Sequence, residues 1–312
     1  MSGVPQGSVL GPLLFVIYMD DLPTNITSPL YMFADDTKTY RKVTDALDCE
    51  SLQQDLNRLS DWSKDWLLKF HPEKCSVMHL GNSNPESNYY LNGQQLSKSS
   101  AEKDLGVVID DKLNFEQHIN DKISKARQMW GMIRRNFKNI DCDTFPLLFK
   151  SLVRPHLEYA NVTWSPYAKG LINDIESVQR SATKQIPGFK DIPYPIRLQI
   201  LQLPTLKHRR RRGDLIEFYK MMTKVYDEEV LPEIIRLPSE NHTRGHEYRV
   251  VRPISHTNKG HNRFTSRVVN DWNKLPEHVV NATTVNSFKN RIDQYFENDQ
   301  SVYNHELHVI IN

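Results

Sequence analysis

The chain has 312 residues, of which 38% are hydrophobic, and a formal net charge of +2. This length allows about two domains, and the mixed composition favours a folded protein over a disordered one. Cys49, Cys75 and Cys142 lie far apart and form no Cys-x-x-Cys pair, which argues against a disulfide framework and a zinc site. No apolar run reaches the ~18 residues of a membrane span, and no signal sequence follows Met1, so we expect a reducing location, cytoplasm or nucleus.

The charge is distributed unevenly along the chain. Residues 1–100 hold 8 Lys and Arg against 12 Asp and Glu, a net charge of −4. Residues 122–220 hold 19 Lys and Arg against 8 Asp and Glu, a net charge of +11. A basic segment beside an acidic one suits a polynucleotide channel next to a metal site, but solvated basic helices would give the same pattern.

A glycine-rich loop opens the chain at residues 2–12. Pro5 fixes one backbone dihedral angle, and three glycines allow a ligand or another backbone to approach closely. The amide of Gln6, in the middle of the loop beside Gly7, is both donor and acceptor. The loop is either a binding loop or an ordinary turn with a polar tip.

The next stretch, residues 9–22, is mostly apolar and predicts a buried helix that ends near Asp20 and Asp21. Pro12 falls in its first turns, where proline is tolerated. The Asp20-Asp21 pair sits at the helix end before Pro23, and we do not expect it to bind a metal ion.

A second acidic pair, Asp35-Asp36, follows the short apolar run at residues 31–33. The run predicts a half-buried strand that ends in a tight turn, where both carboxylates can face one pocket. Like charges held this close repel each other unless a cation lies between them. Mg²⁺ prefers a few carboxylate oxygens together with water and phosphate, so the pair is either a magnesium site or an ordinary acidic surface loop.

Together, residues 3–12 and 33–36 resemble the reverse transcriptase of non-long-terminal-repeat retrotransposons, in particular the jockey-like group. The first stretch reads as that family's GxPQGxxLGP loop and helix, and the second as its Y/F-A-D-D hairpin. The resemblance implies an α+β fold, in which an antiparallel palm sheet backed by helices precedes a mainly helical thumb.

The same resemblance implies an RNA-directed DNA polymerase, a nucleotidyltransferase that uses Mg²⁺ or Mn²⁺. Asp35 and Asp36 would hold the metal ions, and Pro5, Gln6, Gly7 and Phe33 would line the nucleotide and template pocket. The implied partners are an RNA template, a DNA primer and deoxynucleoside triphosphates, with no membrane.

Residues 45–78 predict a helix, a turn at Pro72 and a strand. Leu52, Leu56, Leu59 and Trp66 recur at helical spacing and predict a face packed on the core. The end of this stretch resembles the palm segment that carries a catalytic lysine, here Lys74, near the leaving pyrophosphate. An ammonium there stabilises developing negative charge or donates a proton, whereas the alternative is a surface lysine at the start of a strand.

The Asn92-Gly93 pair predicts a hairpin, and residues 105–110 predict the next strand. Residues 105–119 resemble the family's primer-grip hairpin, which leads into the thumb. Apolar residues from Ile119 to Phe137, spaced by three and four, predict a long amphipathic helix that carries Arg134 and Arg135 on other faces. It is a bundle helix, a thumb helix laid along duplex phosphates, or both.

Further helices are expected at residues 144–159 and 171–186. Residues 153–167 resemble a segment found after the polymerase in the same elements. Four consecutive arginines, Arg209, Arg210, Arg211 and Arg212, fall on a predicted helix and cannot all face one way. We expect some of them to contact nucleic acid, and others to pair with carboxylates or to lie solvated along the core.

These elements predict four segments: a partial palm at 1–112, a helical thumb and post-thumb region at 113–225, a linker or exposed loop at 226–262, and a C-terminal helical segment at 263–312. The family's palm also carries an aspartate and fingers upstream of the glutamine loop, and this sequence begins at Met1, just before that loop. We therefore expect the isolated chain to lack primer extension activity. The alternative is a non-catalytic nucleic-acid-binding remnant of a decayed element.

Overall fold

The computed structural model of the chain describes residues 7–227, 231–232, 234 and 245–307. It is an α+β structure in which about half of the chain is helical. The chain forms two compact units: unit 1 is Met1–Asp104 with Ile109–Lys112, and unit 2 is Leu105–Val108 with Leu113–Asn312. Of the helices described, none is both long and apolar enough to cross a bilayer.

Unit 1 begins with helix α1, Gly11–Met19. The Oγ atom of Ser8 accepts a hydrogen bond from the Gly11 N–H at 3.1 Å, which caps a donor that the helix leaves open. The predicted helix is confirmed, but its predicted burial is wrong: Met19 is its one buried residue. Apolar side chains lie on every side of α1, and the part of unit 1 that the structure describes covers few of them. Leu13, Val16 and Ile17 are 57–62% exposed.

Helix α2, Ala46–Asp65, supplies the core of unit 1. Its start is capped by Asp45, whose carboxylate accepts the Asp48 N–H at 3.0 Å. Leu56 and Leu59 are buried as the spacing predicts, whereas Trp66 follows the helix and is 42% exposed. The core that they form joins α2 to the end of α1 and to a later hairpin; its buried members are Met19, Leu22, Leu56, Leu59, Tyr89, Leu91 and Leu96.

The strands are short and, among the described residues, pair only two by two. They are β1 (Leu30–Phe33), β2 (Asp36–Thr39), β3 (Ser76–Val77), β4 (Tyr90–Leu91), β5 (Gln94–Gln95), β6 (Ser97–Lys98), β7 (Ala101–Asp104) and β8 (Val107–Asp110). β1–β2 and β4–β5 are antiparallel, β3–β6 is parallel, and β7 pairs with β8. The resemblance implies an antiparallel palm sheet, whereas the described strands form two-stranded pairs, of which β3–β6 is parallel.

Two hairpin turns follow from their sequences. Asn92 and Gly93 both adopt positive φ between β4 and β5, the backbone that an Asn-Gly turn favours, so that predicted hairpin is confirmed. Leu105 and Gly106 also have positive φ and connect β7 to β8. The strand predicted at residues 105–110 therefore begins only at Val107.

One buried carboxylate ties α2 to the loop that leads into β1. Asp55 is fully buried and accepts hydrogen bonds from the N–H groups of Thr27 and Ser28 at 3.0 and 2.9 Å and from the Thr27 hydroxyl at 2.9 Å. Arg58 adds an ion pair at 2.7 Å. Burial alone would raise the pKa of Asp55, but these hydrogen bonds outweigh it and lower the pKa to about 2.

Unit 2 is helical. Its long helix α3, Glu116–Asn136, buries Ile119, Ile123, Ala126, Trp130 and Ile133 as the spacing predicts, while Phe137 follows the helix end and is 45% exposed. The shorter helices after it are α4 (Thr144–Leu148), which runs through a π-helical turn at Phe149–Val153 into α5 (Arg154–Glu158), then α6 (Asn161–Trp164), α7 (Lys169–Thr183), α8 (Tyr194–Ile200) and α9 (Leu206–Met222).

Five helices follow in the C-terminal part of the described chain, and all but the first of them contribute to a core shared with α9. They are α10 (Asn258–Asn262), α11 (Phe264–Arg267), α12 (Val269–Asn273), α13 (Glu277–Val280) and α14 (Val285–Tyr295). Tyr219 of α9 stacks on Phe288 of α14 with ring centroids 4.2 Å apart, and Phe218 meets Trp272 of α12 edge to face at 5.0 Å. These aromatic contacts make α9 and the C-terminal helices one hydrophobic core.

Part of the predicted linker at 226–262 is packed into that core. Val250 is buried, its N–H donates to the Asn273 side chain at 3.0 Å, and Trp272 donates its indole N–H to the Tyr248 carbonyl at 2.8 Å. His246 is buried as well. His246 and Val250 therefore differ from the prediction of an exposed loop, while residues 228–230, 233 and 235–244 lie outside the described part.

We predict that Asp55→Asn lowers the free energy of unfolding by about 2–3 kcal/mol at pH 7, because an amide cannot balance Arg58 and accept the same hydrogen bonds. Chemical denaturation followed by circular dichroism measures this change. The matched control is Asp61→Asn, because Asp61 forms an exposed ion pair with Lys64, and that change should cost under about 1 kcal/mol.

The low pKa of Asp55 also determines the pH range in which this carboxylate stabilises the fold. Because the folded-state pKa lies below the usual value for aspartate, the stabilisation is present above about pH 4 and is lost as the pH falls towards 2. The Asp55→Asn protein should lack this part of the acid dependence. An equal loss of stability in both proteins between pH 4 and 2 would contradict the assignment.

A second pH prediction concerns His118 in unit 2. Burial, with the Lys122 charge, lowers the pKa of His118 to about 4, and its Nδ1 atom accepts the Val108 N–H at 3.1 Å, which requires a neutral ring. The unfolded chain therefore binds a proton that the folded chain excludes, and stability should fall as the pH drops from about 6.5 to 4.

The expected slope is up to about 1.4 kcal/mol per pH unit for this proton. His118→Gln, whose amide oxygen can accept the same hydrogen bond, should flatten the slope by that amount. His256→Gln, at an exposed histidine, should leave it unchanged. His208 titrates in the same window for the same reason, burial, so a residual slope remains in the His118→Gln protein.

Candidate active site

The acidic pair singled out by the sequence lies at the tip of the β1–β2 hairpin. Phe33 pairs with Asp36, and the register leaves Ala34 and Asp35 as a two-residue turn. Ala34 takes a positive φ of 53°, as the tight turns of such hairpins require. Because directly opposite residues of an antiparallel pair share a face, Asp36 lies on the same face of the hairpin as Phe33.

Neither carboxylate of the pair has a partner in the part of the chain that the structure describes. Asp35 and Asp36 are both exposed, and no hydrogen bond or ion pair to their carboxylates is formed by residues 7–227, 231–232, 234 or 245–307. Lys38, two residues further along β2, is occupied by an ion pair with Asp104. The repulsion between the two adjacent carboxylates is therefore left for a bound cation or solvent to offset.

These two residues fit the donor preference of Mg²⁺, but they fill only part of its coordination shell. Mg²⁺ takes one or two carboxylates and completes its shell with water and substrate phosphate. Over the described residues, no group of three or more His, Cys, Asp or Glu side chains is arranged to hold a metal ion. Asp35 and Asp36 can thus supply part of a metal cage, which phosphate or other oxygen ligands would complete.

The base of the hairpin is fixed by a clamp that the sequence analysis missed. Arg41, which follows β2, donates from Nη1 to the hydroxyls of Thr27 and Ser28, both at 3.1 Å, and those two residues precede β1. Asp55 holds the same two residues from the α2 side. The signal was present in the sequence, because Asp55 lies at helical spacing with the buried leucines of α2 and thus on a face that should be apolar.

Aromatic side chains flank the acidic tip. Tyr31 stacks on Tyr40 across the base of the hairpin, with ring centroids 5.9 Å apart and planes 6° from parallel. Phe33, beside the turn, is 63% exposed. An exposed aromatic ring next to exposed carboxylates is a surface on which a nucleobase or sugar can pack.

The other candidates in unit 1 lie on separate loops. Pro5 and Gln6 fall outside the described residues. Gly7 has a φ of 85°, a conformation that L side chains rarely adopt, and it is exposed. Lys74 ends a 3₁₀ turn, Pro72–Lys74, just before β3; its side chain is exposed and forms no ion pair with the described residues.

Unit 2 carries the predicted nucleic-acid contacts. Arg134 and Arg135 lie in the last turn of α3, are exposed, and form no ion pair with any residue that the structure describes. Lys138, just beyond the helix, is exposed as well. These three cations lie within five residues of one another and are available to phosphate groups.

The four-arginine run on α9 is placed differently. Arg209 is paired with Glu158, Arg211 with Asp271 and Asp299, and Arg212 with Asp293. Arg210 is buried, with 4% of its surface exposed. The carboxylates that hold Arg209, Arg211 and Arg212 belong to other elements of unit 2, so these arginines join its helices to one another.

Comparison with known proteins bears on the first part of the chain most directly. Residues 1–120 match the family described as reverse transcriptase (RNA-dependent DNA polymerase), and this stretch contains the β1–β2 hairpin. No solved structure is detectably similar to the chain.

Three relatives from Drosophila melanogaster extend the similarity beyond residue 120. The RNA-directed DNA polymerase from mobile element jockey is 31% identical over 202 residues, which is 60% of this chain and 22% of that protein. The probable RNA-directed DNA polymerase from transposon X-element is 27% identical over the same shares. The probable RNA-directed DNA polymerase from transposon BS is 30% identical over 63% of this chain and 23% of its own length.

The chain thus spans less than a quarter of the length of the curated relatives it matches. The matched stretch includes both motifs on which the sequence-based identification depends, the glycine-rich loop and the acidic hairpin. Residues 1–120 match the reverse transcriptase family, and about 60% of the chain is similar to the RNA-directed DNA polymerases of the jockey, X-element and BS mobile elements.

Proposed function

We propose that this chain carries part of the catalytic domain of an RNA-directed DNA polymerase, with Asp35 and Asp36 as ligands of a divalent metal ion. One observation carries the proposal. Within the stretch that matches the reverse transcriptase family, two adjacent carboxylates are exposed at a hairpin tip, and no described side chain neutralises them. Placing two unpaired like charges side by side makes physical sense where a cation binds.

The reaction would be nucleotidyl transfer to a primer. The primer 3′-hydroxyl attacks the α-phosphorus of a deoxynucleoside triphosphate, a new phosphodiester bond forms, and pyrophosphate leaves. Bound divalent ions, Mg²⁺ or Mn²⁺, supply Lewis-acid stabilisation of the attacking and leaving oxygens. The contribution of Asp35 and Asp36 is a fixed, charged platform, held in place through Thr27 and Ser28 by Asp55 and Arg41.

The remaining residues of unit 1 have positioning roles in this proposal. The side chain of Phe33 packs against the nucleotide, and the Pro5-Gln6-Gly7 loop contacts nucleotide and template. The ammonium group of Lys74 balances charge on the leaving pyrophosphate or protonates it. These assignments depend on the family resemblance and on the exposure of Phe33, Gly7 and Lys74.

For the RNA template and DNA primer, we propose Arg134 and Arg135 as phosphate contacts of a thumb-like helix, α3. Their guanidinium groups are exposed and unpaired among the described residues, whereas the buried stripe on α3 holds the helix in its unit. Arg209, Arg211 and Arg212 are already bound by carboxylates. Their contact with nucleic acid would require those ion pairs to open.

A second candidate function is nucleic-acid binding without catalysis. The exposed cations at the end of α3 support it, since they need no metal ion to hold a phosphate backbone. The two candidates differ in what they require of the acidic hairpin, which a pure binding protein does not use.

We predict that Asp36→Asn weakens the binding of Mn²⁺ to the chain by about tenfold or more, because the site loses one of its two charges. Titration of Mn²⁺ followed by the electron paramagnetic resonance signal of the free ion measures this affinity. Asp20→Asn is the matched control, because Asp20 is also an exposed member of an adjacent acidic pair. Equal Mn²⁺ affinity of the Asp36→Asn protein and the unaltered chain would remove the catalytic proposal and leave the binding one.

We predict that replacing Arg134 and Arg135 together by glutamine lowers the salt dependence of RNA–DNA duplex binding, reducing the slope of log K against log salt by about 1–2. Fluorescence anisotropy with a labelled duplex at several salt concentrations gives the slope. Arg212→Gln is the control, and its slope should stay unchanged because Asp293 already binds Arg212. If Arg212→Gln changed this slope more than the double replacement does, the nucleic-acid contact would be assigned to the arginine run on α9 instead of the end of α3.

A further inference from the structure

A cavity in unit 2 opens beside the first turns of α9. Its volume is about 300 Å³, and six charged side chains line it: Lys207, Arg210, Arg211, Asp214, Arg267 and Asp271. A water molecule takes about 30 Å³ of liquid volume, so the cavity has room for a small ligand or for several waters. Four of the six charges are positive.

Two of the cations are neutralised by the two acids of the lining. Arg211 holds Asp271 with two hydrogen bonds of 2.8 and 2.9 Å. Arg267 likewise donates two hydrogen bonds to the carboxylate of Asp214, both at 2.8 Å. These bidentate pairs use the carboxylates of the cavity and leave Lys207 and Arg210 without one.

The guanidinium group of Arg210 has no hydrogen-bond or ion-pair partner among the residues that the structure describes. Arg210 is 4% exposed, its Nη1 atom is buried without a hydrogen-bond acceptor, and no carboxylate lies within 4.0 Å of its guanidinium. A guanidinium group carries five donors and stays charged in proteins. A buried charge with no acceptor is strongly destabilising, so such a group implies an acceptor that the described residues do not provide.

Lys207 is the second unbalanced cation. Its ammonium group donates to the His305 carbonyl at 3.0 Å, which is a neutral acceptor. Burial lowers the pKa of both Lys207 and Arg210, as expected for cations removed from water without a close counter-charge. An anion in the cavity would reverse that effect.

Two further carboxylates act electrostatically on Arg210, Glu176 and Glu158, and Glu176 also acts on Lys207. Glu158 is bound by Arg209, and the oxygens of Glu176 are used elsewhere. Glu176 is fully buried and accepts the Tyr194 hydroxyl at 2.6 Å and the N–H groups of Leu206 and Lys207, both at 3.3 Å. It thus caps the start of α9 and leaves the donors of Arg210 unsatisfied.

We propose that this cavity binds a phosphate-type oxyanion, anchored by Arg210 and Lys207. A guanidinium group matches a phosphate with two parallel N–H···O bonds, and the ammonium group adds a point charge. Ser165 also lines the cavity and brings a hydroxyl group, which can donate to a further oxygen. This site is independent of the acidic hairpin and goes beyond the polymerase proposal.

Phosphate can come from three sources: inorganic phosphate, a nucleotide, or the backbone or end of a nucleic acid. The test therefore begins with inorganic phosphate as the probe, measured by isothermal titration calorimetry in chloride at matched ionic strength. A deoxynucleoside monophosphate and an oligonucleotide with and without a 5′-phosphate are then used as competitors. The competitor that displaces phosphate identifies the source, and each such result supports the site.

The variants are Arg210→Met, which keeps an unbranched apolar stem, and Lys207→Gln, at a position of intermediate exposure. Both should weaken phosphate binding by at least about tenfold, the loss expected for one charge-assisted contact. Lys184→Gln, at an exposed lysine outside the cavity, is the control and should bind as the unaltered chain does.

Thermal unfolding separates this site from a purely structural role for Arg210. Phosphate should raise the Tm of the unaltered chain, and Arg210→Met should unfold at the same temperature or higher without phosphate and show no rise with it. If Arg210 only supports the fold, Arg210→Met will have a lower Tm and phosphate will stabilise both proteins no more than chloride does. That result, or equal phosphate affinity for the unaltered chain and Lys207→Gln, would overturn the proposal.

Discussion

The arrangement of unit 1 depends on one buried carboxylate. Asp55 receives two backbone N–H groups and a hydroxyl from the loop that leads into β1, and Arg58 balances its charge. Hydrogen bonds to a buried charge are worth more than those between neutral groups, and leaving any of them open is costly. These bonds therefore fix the position of the loop on α2. They also fix the position of the hairpin, because it starts three residues later.

This constraint explains how a short hairpin can present repelling charges. The carboxylates of Asp35 and Asp36 are not stabilised by their own surroundings, because neither has a partner among the described residues. The stability needed to hold them comes from Asp55 and Arg41 at the other end of the hairpin. The hairpin thus has a rigid base and a charged tip whose carboxylates lack partners among the described residues. This arrangement is expected at binding sites, where the surrounding structure holds repelling groups in place.

Unit 2 uses charge in the opposite way. Arg209, Arg211 and Arg212 reach carboxylates that are 51, 60 and 81 residues away in the sequence, and so fasten α9 to the elements around it. No carboxylate in the described part of the chain pairs with Arg210, which lies in the middle of the run. The basic run has the composition of a nucleic-acid-binding surface, but most of its arginines form ion pairs within unit 2. The remaining arginine, Arg210, lines the cavity.

Features that depend on residue spacing within one element could be predicted from the sequence. Features that depend on contacts with distant elements could not. The apolar spacing of α3 identified its buried face, and the Asn92-Gly93 pair identified its hairpin, because both signals lie within a few residues. The exposure of α1 was not predictable from its own residues, since an apolar helix looks the same whether or not a neighbour covers it. The carboxylates that pair with the arginine run could not be predicted either, because the pairing depends on how helices far apart in the chain pack together.

For the candidate site, the family motif identified Asp35 and Asp36, but not the residues that hold the hairpin. Asp55 and Arg41 belong to no motif, and their role is visible only once the loop, the hairpin and α2 are seen together. An acid on the buried face of a helix was nevertheless a usable sign, because a carboxylate is rarely buried without partners.

The central claim is that a divalent cation binds between the carboxylates at the hairpin tip. Fe²⁺ in place of Mg²⁺, with ascorbate and peroxide, generates hydroxyl radicals that cut the backbone next to the bound metal, and mass spectrometry locates the cuts. The account predicts cleavage confined to residues 33–37, suppressed by excess Mg²⁺ and lost in the Asp36→Asn protein. Cleavage at Asp20 and Asp21 instead, or cleavage at the hairpin that persists without the Asp36 carboxylate, would contradict it.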